Sequence, residues 1–193
     1  MKRTKKFYQI KDTATTLFKR FGFNRVTIEE ICREANVSKM TFYKYFKNKN
    51  EFTKFIITDM IEESMKEYDS IMKEDIKYEE KVRKLIDLKM KGTMDISREF
   101  MADYLQNADE ELSTFFNNYY SSLLKRFYVD LIAAKNEGNI RANIKTEFLL
   151  YILNLLIDLA KNETLKAMYD TPQQLIMELT NFYFYGIMEK NHR

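Results

Sequence analysis

The stretch Val37–Lys49, VSKMTFYKYFKNK, holds four lysines, four aromatic residues and one methionine in thirteen positions. A helix sorts them. At the helical period Phe42 and Phe46 point one way, with Val37 able to join them, while Lys39, Met40, Tyr43 and Lys44 take the opposite side. Ser38 stands where it can cap this short helix, which is expected to run to about Tyr45.

Upstream, Thr27-Ile28-Glu29-Glu30 reads as a capping box that opens another helix. Ile28, Ile31, Cys32 and Ala35 line its inner side, and Asn36 ends it, since asparagine tolerates left-handed backbone. An earlier helix, about Thr4 to Arg20, carries the stripe Phe7, Ile10, Ala14, Leu17, Phe18 and Phe21, and Gly22 sits where a left-handed cap is expected. Helix, short turn, helix is the signature of a helix-turn-helix. The outward side chains suit DNA. Lys39 or Lys44 can neutralise a phosphate or reach a guanine edge, Met40 can touch a thymine methyl, and Tyr43 can bond a phosphate. Thr41 lies on the flank, Ser38 and Thr27 stand at helix N-termini that favour a phosphate oxygen, and Lys49 adds a cation. The bland alternative is an amphipathic helix whose lysines are simply solvated. Charge favours DNA: residues 1–54 carry 14 basic against 5 acidic side chains, a net of +9, and the remainder carries −6.

Ala14-Thr15-Thr16-Leu17-Phe18, Gly22, Val26-Thr27-Ile28, Ile31, Ala35, Val37-Ser38, Thr41-Phe42-Tyr43, Tyr45-Phe46 and Lys49 together resemble the DNA-binding signature of TetR-family transcriptional repressors. The resemblance covers about a quarter of the chain. It implies a homodimer of two nine-helix protomers, each with a ligand cavity in its larger domain. A bound ligand shifts the fourth helix and changes the spacing of the two recognition helices. Carried over by position, Thr27, Ser38, Lys39, Met40, Thr41, Tyr43, Tyr45 and Lys49 fall at or beside DNA-contacting positions. Two departures stand out: the family often has glycine where Asn36 and Met40 stand. Met40 is therefore expected to affect base preference.

The rest reads as long helices, about 49–72, 78–91, 97–105, 109–135, 146–168 and 172–189, with Thr171-Pro172-Gln173-Gln174 the clearest start. The expected fold is all-α: a three-helix DNA-binding domain over residues 1–48, and a helical ligand-binding and dimerisation domain over 49–193. The helix after 109 is apolar around much of its circumference, so it touches two neighbours or lines a cavity. Met60, Phe100, Tyr104, Phe116, Tyr119, Tyr120 and Phe127 are the candidate ligand-binding residues, with Asp103 a possible polar anchor. Ordinary core packing is the competing account of each. On the last two helices Ile152, Leu155, Leu159, Leu175, Leu179, Phe182 and Gly186 are the candidate dimer interface; packing within one protomer is the alternative.

Four glycines and one proline argue against a β fold, and the single Cys32 excludes an internal disulfide. No signal peptide and no apolar run long enough for a membrane span is read, so a cytoplasmic setting without membrane partners is expected. There is no phosphate-cradling glycine loop, no H-E-x-x-H and no Cys/His cluster with metal spacing. The one histidine is His192, next to the last residue. No catalysis, metal or cofactor is expected. The favoured reading is a dimeric repressor that binds a pseudo-palindromic double-stranded operator and is released by a small lipophilic effector. A DNA-bound scaffold recruiting a protein partner is the alternative, and a helical carrier of a hydrophobic ligand is a weaker third.

Overall fold

Cap residues place the helix starts. Thr27 accepts from the Glu30 amide, Ser38 from Thr41, and Ser97 from Phe100. Asn48 accepts from the Glu51 amide at 2.8 Å, and the Glu51 carboxylate accepts in turn from Lys47. Thr171 and Gln174 form a complete capping box with Pro172 at the first helical position. The computed structural model describes residues 4–188, so His192 and the expected helix end at 189 lie outside it. Among the described residues ten α-helices follow in order: α1 Lys5–Phe21, α2 Ile28–Glu34, α3 Lys39–Tyr43, α4 Lys49–Lys73, α5 Tyr78–Thr93, α6 Arg98–Ala102, α7 Glu110–Asn136, α8 Thr146–Lys161, α9 Glu163–Lys166 and α10 Pro172–Ile187. A π-helical turn, Asp103–Asn107, continues α6. Among the described residues the sole β feature is an isolated antiparallel bridge between Ile140 and Met188.

Two expectations change. The helix read as continuous over 146–168 stops at Lys161, because the Asn162 side chain accepts from the Leu165 amide and caps the short α9 instead. Gly22 has the positive φ expected of it, 77°, but its ψ of 155° leaves the left-handed helical region. The chain turns out of α1 in extended form, which sends Phe23 into the core. Asn36, at φ 53°, does adopt the left-handed backbone.

The chain forms two compact units. The first comprises residues up to Glu63 together with Asp95–Phe116, and so reaches well beyond residue 48. Its centre is aromatic: Phe18, Phe23, Phe42 and Phe52 are fully buried. Phe42 meets Phe52 edge-on at 4.9 Å between ring centres, and Phe23 meets both Phe100 and Phe116 edge-on, 6.1 and 6.0 Å away. Such edge-to-face pairs contribute about 0.5–1.5 kcal/mol each beyond burial. The second unit comprises Ser64–Met94 and the residues from Asn117 onward. Val82, Leu131, Ile140 and Leu149 form its buried centre, with Tyr183, Phe184 and Ile187 from α10. No described helix is long and apolar enough to cross a membrane.

Candidate nucleic-acid interface

Within the first unit α3 is anchored by its apolar side. Phe42 is fully buried and Phe46, just beyond the helix, is nearly so. With those two turned in, Met40 and Tyr43 are turned out, at 72% and 53% exposure. Lys44 is exposed beside them. A methionine and a tyrosine thus stand in water on one short helix, between Lys39 at its start and Lys44 just past its end.

The other candidates divide by what already occupies them. Ser38 and Thr27 are exposed, and each spends an acceptor on its own helix start. The Thr41 hydroxyl shares a 3.0 Å hydrogen bond with Ser38. Lys39 is ion-paired with Glu29 of α2; both are exposed, and the pairing raises the lysine pKa and lowers the glutamate's. Tyr45 is half-buried: its ring meets Phe7 at 5.3 Å and its hydroxyl lies 2.6 Å from that of Thr4, the residue before α1. Lys49 donates to the Asn24 carbonyl at 2.7 Å, and burial lowers its pKa. Met40, Tyr43 and Lys44 therefore make the open face, while Lys39, Tyr45 and Lys49 brace it. Sequence reasoning missed Glu29, Thr4 and Asn24 as their partners.

Asp103, read as a possible ligand anchor, is engaged elsewhere. Its buried carboxylate accepts from the Asn24 backbone amide and from the Asn24 side-chain amide, both at 2.9 Å. In the same unit Asn50 donates to Asp109 and Glu111, and Lys54 pairs with Glu111 at 2.6 Å, tying the start of α4 to that of α7. Lys11 of α1 pairs with Asp59 of α4 at 2.8 Å.

The candidate ligand-binding residues fall in different units. Phe100 and Phe116 are buried in the first, with Tyr104 ringed between them and Met60 packed on the same cluster. Phe127 belongs to the second, against Tyr68, Tyr183 and Phe184, and Tyr119 and Tyr120 are half-buried there. A different set of side chains lines a cavity of about 340 Å³ in the second unit, including Asp69, Tyr78, Lys81, Arg126, Asp130 and Glu137. Arg126 pairs with Asp69, and the Tyr68 hydroxyl donates to Asp130 at 2.6 Å. Burial, with Asp130 and Glu137 adding to it, pushes the Tyr78 hydroxyl up to about 12.

The dimer candidates also separate. Leu175 is buried inside the second unit and Ile152 packs on its core, so both serve internal packing. Leu159 and Leu179 are half-buried. Leu155 and Phe182 are exposed, and a side chain placed at Gly186 would meet open space. Phe148, Tyr151 and Tyr185 are exposed as well.

Residues 10–54 match the family described as bacterial regulatory proteins, tetR family. An uncharacterized HTH-type transcriptional regulator of Bacillus subtilis (strain 168), YhgD, is 32% identical over 77 residues, 40% of each chain. The fatty acid metabolism regulator protein of the same organism is 33% identical over 72 residues, 37% of this chain and 35% of that one. These matches span about two fifths of the relatives' length or less. Among solved structures, the fatty acid degradation regulator FadR of Bacillus halodurans superposes with a TM-score of 0.72 over the whole of both chains, at 21% identity. FadR of Bacillus subtilis in complex with stearoyl-CoA has a TM-score of 0.67 at 18% identity, covering 94% of this chain and 99% of that one. The family and these neighbours are regulators, not enzymes.

Proposed function

We propose that this chain, whose residues 10–54 match the tetR family of bacterial regulatory proteins, is a dimeric, sequence-specific transcriptional repressor released from its operator by a small molecule. The observation that carries this reading is the outward face of α3, where Met40, Tyr43 and Lys44 stand exposed over a rigid aromatic anchor. Two such helices in a symmetric dimer, about 34–36 Å apart, meet successive major grooves. The exposed Phe148, Tyr151 and Leu155 of α8 and Phe182 and Tyr185 of α10 form apolar surface that a second copy of the chain would cover.

For the effector we propose a lipophilic compound with a polar end. The similar FadR of Bacillus subtilis holds stearoyl-CoA, which makes long-chain acyl thioesters the first class to test. The polar cavity of the second unit offers cations and carboxylates to such a head group. The same exposed apolar face also suits the scaffold reading, in which a different protein covers it.

Selection of bound sequences from random duplex DNA, at near-physiological salt, tests the proposal. A pseudo-palindromic site supports the dimeric repressor and supplies the probe for release by acyl thioesters. Binding without sequence preference would overturn it.

A further inference from the structure

We propose that Asp103 is a positioning residue for DNA binding: from the π-helical turn after α6 it fixes the loop that aims α2 and α3. The inference rests on the DNA-binding reading above. Asn24 is held from two sides. Its backbone and side-chain amides both donate to the Asp103 carboxylate, and its carbonyl accepts from Lys49 at the start of α4. Three residues later Thr27 caps α2, and α2 leads through Asn36 into Ser38 and α3. Setting the backbone at residue 24 therefore sets the direction in which the whole helix-turn-helix leaves α1.

Three further observations support this role. Asp103 is only 8% exposed, and a buried carboxylate is costly unless its hydrogen bonds are filled. An apolar side chain would pack there at less cost, but it would not specify one loop geometry. Gly22 lets the two segments touch: a Cβ there would lie 2.4 Å from an Asp103 carboxylate oxygen and 3.2 Å from the Glu99 backbone. Beside it the Ser97 amide donates to the Lys19 carbonyl at 2.9 Å, a second tie between the end of α1 and the start of α6.

The test uses the full chain and its selected operator. Operator and random-duplex affinities are measured at one salt concentration, with melting curves alongside. Asp103→Asn sets its amide against that of Asn24, and it is expected to weaken operator binding about tenfold, the equivalent of one charged hydrogen bond. Random-duplex binding, which draws on phosphate contacts, stays unchanged. Exchanging the pair, Asn24→Asp with Asp103→Asn, moves the carboxylate to the loop and the amide to the helix, and restores operator binding. A milder variant, Asn24→Ala, keeps the backbone tie and loses less. If Asp103→Asn lowers only the melting temperature, or if the exchange restores nothing, Asp103 is a structural residue and the proposal fails. A wild-type protein that selects no sequence overturns the DNA-binding reading itself, and this assignment falls with it.

Discussion

Lys39 and Glu29 form an exposed ion pair beside the open face of α3, so one cation of that face is already matched. A surface pair of this kind stabilises the fold very little. Its effect belongs to binding instead: the carboxylate competes with phosphate for Lys39 and adds a negative charge near the duplex. Glu29→Gln is expected to tighten DNA binding at low salt and to steepen the log–log salt dependence by about 0.9, one phosphate contact. Titrations across a series of salt concentrations measure this, and parallel lines for the two proteins would refute it. The pair also marks a limit of sequence reading. Lys39, Lys44 and Lys49 have the same chemistry and similar spacing, and periodicity correctly placed Phe42 and Phe46 inside. It could not tell which lysine has a partner, because Glu29 lies ten residues away and Asn24 twenty-five.

Helix starts were largely legible, because a cap is a local bond between residues three apart. Thr27, Ser38 and Thr171 all cap where their patterns put them. Asn162 was missed because the helical spacing of apolar residues continues past it, from Leu159 to Leu165, and the π-helical turn at Asp103 because no local pattern announces it. α5 yields a prediction at this scale. Its first residue, Tyr78, is pushed up to about 12 from an ordinary 10.0, and burial also raises Tyr68 and Tyr183. A hydroxyl whose pKa is higher in the folded state favours folding fully below pH 10, and that contribution is lost between pH 10 and about 12. Melting temperature should therefore fall over this interval, with tyrosinate absorbance rising as the second unit opens. Tyr78→Phe should lose less over the same interval than the wild type; equal losses would show that Tyr78 titrates as freely folded as unfolded.

Across the whole molecule, association is the property most open to test. Tyr151→Glu with Phe182→Glu places charge on two of the most exposed apolar positions, at 67% and 72% exposure. Light scattering is expected to give twice the 23.3 kDa chain mass for the wild type and a single chain mass for the double variant, with operator affinity falling alongside. A wild type of single chain mass would remove the dimer from the proposal. The all-helical fold and the basic head were readable from period and charge, which are properties of neighbours in sequence. The extent of the first compact unit was not, since its aromatic centre joins Phe23 to Phe100 and Phe116 across most of half the chain. That discontinuity has a consequence during synthesis. Residues up to Glu63 leave the ribosome before Asp95–Phe116, so the core of the first unit is complete only once Phe116 has emerged, some 50 residues after Glu63. At translation rates of about 5–20 residues per second the wait lasts roughly 3–10 s. For that time Phe23 lacks the two rings that close over it, Phe100 and Phe116, while Phe18 and Phe52 already have partners within the head.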